Sequence, residues 1–252
     1  MNRGRRFGML FGWTLALATI VLFGSLGRWQ LDRMHEKQAR LDAAAQALSP
    51  QSVQPLLLAS SPARAHGYDW AMGSGAMANA TVWLDNQVQD GKPGLRMYCV
   101  LLPDDGVQAL LMDAGWWPLD GNRDLPVFGC PVGSAQLVRG LLAPPPSSGL
   151  QHGTAMVTSG PHRWLATRID QAVIARELKL SAGIAPRVLR LDPARNTRDA
   201  GVMLVPGVRD LVILPNTLTP ARHLGYAVQW FGLALTVLVV AVVLTLKARK
   251  SP

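Results

Sequence analysis

Two apolar runs decide the fold of this chain: FGMLFGWTLALATIVLFGSL (residues 7–26) and YAVQWFGLALTVLVVAVVLTL (residues 226–246). Neither run contains a charged residue. With a rise of about 1.5 Å per residue, each is long enough as a helix to cross a hydrocarbon core of roughly 30 Å. The sequence therefore predicts one transmembrane helix near each end of the 252-residue chain.

The charges around these runs predict their orientation. All 16 acidic residues lie between the runs, whereas the two tails outside them are purely basic. Because basic flanks stay in the cytoplasm, both tails are expected there, and the middle of the chain is expected on the opposite side of the membrane. The six tail cations also account for most of the net charge of +9; the remainder carries +3 and has no dense basic tract for nucleic acid. These cations are Arg3, Arg5, Arg6, Lys247, Arg249 and Lys250.

The first run is expected to remain as an anchor. It exceeds the 7–15 apolar residues of a cleaved signal peptide, and the stretch after it lacks a convincing small-x-small cleavage site. The N-terminus also lacks the long Ser/Arg-rich leader of a mitochondrial import signal. We therefore expect a two-span protein of a bacterial inner membrane with a periplasmic central domain.

Four segments are predicted along the chain. Residues 1–27 form a cytoplasmic tail and the first span, and residues 28–50 form a helical stalk with apolar residues at steps of three and four. Residues 51–220 form a β-rich periplasmic domain, and residues 221–252 form the second span and its tail.

Short β-like runs fill most of the central domain. They are separated by Gly, Pro, Asn and Asp, and QDGKPG (residues 89–94) is a strong turn between two of them. One helix is expected after Asp170, a plausible N-cap. The pattern predicts an α+β fold in which the sheet is mostly antiparallel, or a partly open barrel, with one or two helices. The candidate strands are ATVWLD, LRMYCVLL, VQALLMDAGWW, AQLVRGLL, RVLRLD and DLVILP.

The chain has two cysteines, Cys99 and Cys130, both in the central domain. In an oxidising compartment they can form a disulfide, but sequence alone does not bring their Cα atoms within the few ångströms that a disulfide requires. Buried free thiols are the alternative.

Common enzyme motifs are absent from the sequence. It contains no G-x-S-x-G elbow, no phosphate-binding glycine loop, no H-E-x-x-H and no C-x-x-C. This pattern favours a protein that is not an enzyme. A membrane-tethered enzyme stays an alternative, for which the sequence offers no acid–base pair.

One histidine stands out because it lies where the second span begins. If a helix starts near Pro220, then His223, Tyr226, Ala227 and Trp230 follow one face at i, i+3, i+4 and i+7. An imidazole beside aromatic rings can bind haem iron. The alternative is an interfacial aromatic belt with a hydrated histidine.

Two Trp–Gln pairs occupy corresponding places on the two spans. Trp29 and Gln30 follow the first run, and Gln229 and Trp230 lie in the second, so the two amides are predicted to hydrogen-bond across the helices. Small residues at 8, 12 and 16 are suited to close helix packing or to a partner.

Three segments resemble the Surfeit-locus-one family of cytochrome c oxidase assembly factors. LGRWQLDRMHEK (residues 26–37) is similar to that family's first signature, which this chain carries in the five residues listed below. LDNQVQDGKPGLRMYCVLLP (residues 84–103) and ARHLGYAVQWFGLA (residues 221–234) resemble two others. The chain departs from the family pattern at Ala114, where an arginine is usual, and at Arg222, where an asparagine is usual. The signature residues, expected as motif or partner contacts together with Gln229, are Gly27, Trp29, Gln30, Arg33 and Lys37.

The resemblance implies a membrane-anchored chaperone that binds haem a or hands it to oxidase subunit I during respiratory-chain biogenesis. The implied iron ligand is His223, flanked by Tyr226 and Trp230, with Arg222 or Arg28 near the haem propionates. The alternative is a cofactor-free scaffold that holds subunit I or the haem a synthase. The same small residues and Trp–Gln pairs would then be contact residues.

Overall fold

The computed structural model describes residues 3–49, 53–106, 108–119, 121, 124–147, 153–194, 207–214 and 217–250. The chain forms two compact units. One comprises Met1–Leu41 with Thr217–Pro252, and the other comprises Asp42–Asn216.

The secondary structure confirms the predicted α+β class, with apolar helices at both ends and a mixed, mainly antiparallel sheet between them. The terminal helices are α1 (Arg3–Leu48) and α3 (Pro220–Lys250), and the short helix α2 spans Gln171–Glu177. Two 3₁₀ helices span Leu56–Ser60 and Pro62–Arg64. The strands are β1 (Asp69–Gln89), β2 (Lys92–Pro103), β3 (Ala109–Pro118), β4 (Gly133–Ala143), β5 (Met156–Gly160), β6 (Arg163–Ala166) and β7 (Ile184–Leu191).

Five of the seven strands close into a barrel. The strand order is β2-β3-β7-β4-β1, and β1 also pairs with β2 to complete the ring. Strand β1 makes this closure possible because it is 21 residues long. It pairs with β4 through Asp69–Met77 and with β2 through Gly75–Gln89, while β6 and then β5 extend the sheet beyond it.

Alternating side chains build two apolar clusters from the same strands. Met97, Cys99 and Leu101 of β2 belong to one cluster, and Tyr98 and Val100 belong to the other. This period of two is the expected pattern for a strand that is covered on both faces. The second cluster includes Ile174 of α2, so the short helix covers one face of the sheet.

Local sequence signals account for the turn and the helix that were predicted. The β1–β2 hairpin turns through Asp90 and Gly91, which both have positive φ (51° and 75°), as a two-residue type I′ turn requires. Helix α2 begins after Asp170, whose carboxylate accepts a hydrogen bond from the Val173 amide at 3.1 Å.

The candidate strand at 210–215 is wrong in its described part. Residues 210–214 form no strand, and Val208 alone makes a bridge, to Trp116. The carboxylate of Asp210 accepts a hydrogen bond from the Val212 amide at 2.9 Å, which turns the backbone away from an extended path.

Cys99 and Cys130 form a disulfide, with 5.6 Å between their Cα atoms. The bond links buried strand β2 to the loop before β4 and closes a loop of 31 residues. A cross-link over a loop of this length typically contributes about 2–4 kcal/mol by restricting the unfolded chain. Phe128, two residues from Cys130, packs edge-on against both Trp83 and Trp117, so the tethered loop also covers part of the first cluster.

A buried ion-pair network fixes segment 207–214 to the barrel. The Arg96 guanidinium donates to Asp113 at 2.9 Å and to Asp210 at 2.7 Å, and Arg190 donates to Asp210 at 2.7 Å. Burial, the largest single effect, raises the pKa of Asp210, but the charge and hydrogen bond of Arg96, the Val212 amide and the Arg190 charge together outweigh it, so the pKa of Asp210 lies below its ordinary value of 3.8.

This lowered pKa predicts a loss of stability in acid. A carboxyl group whose pKa is lower in the folded state stabilises the fold fully above its unfolded pKa, and this contribution disappears as the pH falls through the folded pKa. We expect the thermal midpoint of the wild type to drop below about pH 4 more steeply than that of Asp210→Asn, which is already destabilised at neutral pH. Thermal unfolding in detergent between pH 2.5 and 7 measures both curves. Parallel curves would contradict the role of the Asp210 carboxylate.

Candidate functional site

Helices α1 and α3 pack against each other as an antiparallel pair within their unit. Three contacts establish the direction, because residue numbers rise along α1 while they fall along α3. Trp13 donates a hydrogen bond to the Thr245 hydroxyl at 2.9 Å, the rings of Phe23 and Trp230 lie 5.4 Å apart, and Gln30 contacts His223. Both helices are long and apolar enough to cross a membrane, over Phe7–Leu48 and Pro220–Ala248.

The packed faces follow steps of three and four residues. On α1, the buried positions after the apolar run include Gly27, Gln30 and Lys37. On α3, the buried positions near its start include His223 and Ala227. This spacing keeps one side of each helix against the other. The sequence therefore places two polar side chains, Gln30 and His223, opposite each other in the interface between α1 and α3, which we call the seam.

Gly27 permits a close approach near this level. A Cβ atom at position 27 would lie 2.8 Å from the ring of Phe231, which is closer than carbon atoms pack. The signature glycine thus has a local physical role, since it allows an aromatic ring of α3 to rest on the α1 backbone.

The imidazole of His223 is buried and is held by one hydrogen bond. Its Nδ1 lies 2.6 Å from Oε1 of Gln30, and the two residues are only 5 % and 9 % exposed. An amide oxygen accepts, so Nδ1 carries the proton, and the neutral ring then presents an unprotonated Nε2. Within the described residues, Nε2 is buried and has no hydrogen-bond partner.

This arrangement has the chemistry of a metal ligand. A histidine that binds a metal commonly donates its other ring N–H to a nearby oxygen, which fixes the tautomer and the ring orientation. His223 meets that condition through Gln30. The donor atom fits haem iron, although side chains that cover the ring must move before a flat macrocycle reaches Nε2.

Basic side chains lie around this histidine. The charges of Lys37 and Arg33 are close enough to act on the His223 ring. Arg33 and Arg40 both form ion pairs with Glu36, whose oxygens are thereby shared between two guanidinium groups. Lys37 is only 8 % exposed, and it makes no hydrogen bond or ion pair with the residues that the structure describes.

The structure brings together some of the predicted site residues and separates others. His223, Ala227 and Trp230 face α1, but Tyr226 lies outside this face and is 42 % exposed. The predicted pairing of the two amides is wrong: Gln30 bonds to His223, while Gln229 is exposed. The remaining candidates Arg28, Trp29 and Arg222 are also exposed.

The predicted packing of small residues on α1 is only partly correct. Ala16 is buried, whereas no described atom beyond their own helix lies within 4 Å of a Cβ built at Gly8 or Gly12. Gly27 makes the close contact instead. Sequence analysis also missed that Lys37 is buried. The available signal was its spacing, because Lys37 is seven residues, or two helical turns, after Gln30.

The fold and the paired helices define a class of protein: a β-barrel domain in a chain whose two terminal helices are able to cross a membrane. The chain belongs to the SURF1 family, whose family model matches residues 17–235. The match covers most of the chain and confirms the resemblance drawn from the three segments. A comparison with curated proteins finds no match.

Membership in this family gives the coarse function. The SURF1 family is associated with assembly of cytochrome oxidase, and it is a family of assembly factors rather than a catalytic family. The two terminal helices fit a two-span membrane protein in that role.

Proposed function

We propose that this protein binds haem a through His223 and hands it to subunit I of a haem-copper oxidase. The observation that supports the proposal is the buried Nε2 of His223, which lacks a partner within the described residues while Nδ1 is fixed by Gln30. Burying an unpaired polar atom costs free energy, so such an atom is often found where a ligand completes the bonding.

Each residue near the seam has a distinct part in this proposal. Gln30 orients the His223 ring and holds a proton on Nδ1, so that in the neutral ring the lone pair lies on Nε2 and is available to a metal. The ring of Trp230, packed on Phe23, gives an apolar wall beside the ligand. Haem a, when bound, would supply the iron that the oxidase later uses for oxygen chemistry.

A single protein ligand is suited to transfer. Among the residues that the structure describes, no group of three His, Cys, Asp or Glu side chains is placed to hold a metal. One protein ligand, His223, would hold the iron less firmly than two and would leave it accessible to a ligand from the acceptor. We place the site on the periplasmic side of a bacterial inner membrane, with both termini in the cytoplasm, because both tails are basic.

The absorption spectrum of the purified protein tests this proposal. The protein is expressed with the enzymes that make haem a, and the wild type is compared with His223→Ala. We expect the wild type to carry haem a and the variant to lose most of it, because the iron loses its protein ligand. His35→Ala is the matched control, since His35 is an exposed histidine on α1 and should leave the haem content unchanged. Full haem content in His223→Ala would overturn the ligand assignment.

The alternative function is a cofactor-free scaffold that holds subunit I or the haem a synthase during maturation. The burial of the His223 ring favours it, because a ring covered on most of its surface serves equally as an interhelical hydrogen-bonding group. Under this alternative the purified wild type contains no haem but still cross-links to subunit I. Haem bound through His223 would exclude the purely structural role.

A further inference from the structure

We infer that Lys37 is the anion-binding residue of this site and takes a carboxylate of the porphyrin that His223 binds; this inference rests on the proposed function. The starting point is the burial of Lys37. Lysine is rarely buried without a partner, because desolvating an ammonium is costly unless a negative charge or hydrogen-bond acceptor compensates. The side chain of Lys37 is nonetheless only 8 % exposed, and it forms no hydrogen bond or ion pair within the described part of the chain; its ammonium is partly desolvated but keeps contact with solvent.

The acidic residue beside Lys37 is already engaged. Glu36 forms ion pairs with Arg33 through Oε2 and with Arg40 through Oε1, the latter at 2.6 Å. The cluster of Arg33, Glu36, Lys37 and Arg40 therefore has an excess of positive charge, and Lys37 is its cation that forms no direct ion pair with Glu36. A ligand that brings its own negative charge would complete the cluster.

The position of Lys37 brings its ammonium group near His223, whose Nε2 has no hydrogen-bond partner among the described residues. Lys37 and Gln30 are seven residues apart, so they lie on the same side of α1, about 10 Å apart along its axis. Gln30 holds His223, and the Lys37 charge is close enough to act on that ring. A buried imidazole nitrogen and a largely buried lysine, neither with a hydrogen-bond partner among the described residues, thus lie on the same packed side of the helix pair.

These two groups together specify a class of ligand: a metal complex that carries a carboxylate. Porphyrins with propionate side chains belong to this class. Exposed cations at Arg28 and Arg222 were the sequence-based candidates for the propionates, but ion pairs in water contribute little. A partly desolvated ammonium binds a carboxylate more strongly, so Lys37 is the better candidate.

Titration of the full-length protein with two porphyrins tests the inference. The protein is kept in an uncharged detergent and is titrated with haemin or with haemin dimethyl ester, in which both carboxylates are blocked; Soret absorbance reports binding. For the wild type we expect the ester to bind roughly tenfold more weakly or worse, because it cannot form a charge-assisted hydrogen bond. For Lys37→Met we expect this preference to vanish, and for Lys37→Arg we expect it to be retained.

The controls separate the two proposals. Lys247→Met removes an exposed cation at the other end of α3 and should keep the wild-type preference for haemin. Equal binding of both porphyrins by the wild type would overturn the role of Lys37 but leave the haem proposal intact, and this comparison needs no variant. If neither porphyrin binds to the wild type, both the proposed haem-binding function and the role of Lys37 are wrong. If Lys37→Met keeps the full preference, Lys37 is not the residue that binds the carboxylate.

Discussion

Replacing Gly140 with alanine is expected to destabilise the barrel by about 3 kcal/mol or more. Gly140 lies in β4, opposite Leu191 of β7 on one side and Ala71 of β1 on the other. A Cβ atom at this position would lie 2.0 Å from the carbonyl oxygen of Arg190 and 3.0 Å from the Cα of Leu191. Both atoms belong to the backbone, so no rotamer change relieves the overlap.

The consequence extends beyond one contact because β4 closes the ring. If β4 moves away from β7, the pairing that joins β3 and β7 to β1 through β4 is broken, and two strand edges are exposed. Since a domain of ordinary stability has only about 5–15 kcal/mol to lose, a large part of the population would unfold on mild heating.

Urea unfolding of the full chain in detergent, followed by tryptophan fluorescence, measures the effect. Gly121→Ala is the matched control, because no described atom lies within 4 Å of a Cβ built at that glycine. We expect the control to stay within about 0.5 kcal/mol of the wild type. Equal midpoints for the two variants would show that β4 does not pair with β7 in this register.

The terminal helices and the strongest strands could be predicted from the sequence because their signals are local. An uncharged run of 20 residues admits few structures, and the nearly continuous apolar run at residues 95–102 matches a strand covered on both faces. The start of β1 was missed for the opposite reason. Gly73 and Gly75 disfavour a strand by propensity, yet a Cβ at Gly75 would lie 2.4 Å from the Leu102 carbonyl oxygen, so close strand pairing there requires glycine.

The disulfide and the incorrectly predicted strand at 210–215 both depend on contacts between residues that are distant in the sequence. The pairing of Cys99 with Cys130 depends on how β2 packs against a loop 31 residues away. The spacing of the two cysteines in the sequence does not determine the distance between their Cα atoms. The apolar stretch at 210–215 has the composition of a strand, but the Asp210 carboxylate accepts hydrogen bonds from the Val212 amide and from two arginines instead. Tertiary ion pairs, and not strand propensity, therefore determine the conformation of residues 210–214.

The candidate site was predictable in part. The helical period placed His223 and Trp230 on one face, and the structure agrees. The partner of Gln30 was not predictable, because the rotation of one helix against the other decides whether His223 or Gln229 meets the amide. Lys37 was missed because a lysine is ordinarily exposed, so burial is the less probable reading of that residue type.

Replacing Arg187 with methionine is expected to cost about 3 kcal/mol, because it removes the buried partner of the Asp69 carboxylate and leaves that carboxylate only one, half-exposed arginine partner. Arg187 is fully buried in β7, on the same side of the strand as Ala185 and Leu189 of the first apolar cluster. Its guanidinium donates to Asp69 at 2.5 Å and also to the carbonyl oxygen of Leu58, in the first 3₁₀ helix. The arginine thus ties three elements together inside the domain.

A double variant separates the net contribution of the Arg187–Asp69 ion pair to stability from the penalty of removing only one of its two charges. Arg187→Met with Asp69→Leu removes both charges, and we expect it to be more stable than Arg187→Met alone, since the buried Asp69 carboxylate is then not left with the half-exposed Arg64 as its only ion-pair partner. Arg176→Met is the control, because Arg176 is exposed on α2 and should change the free energy of unfolding by less than about 0.5 kcal/mol. Urea unfolding of the four proteins gives the comparison. If the single and double variants lose the same stability, the loss comes from packing of the arginine side chain and not from an uncompensated charge.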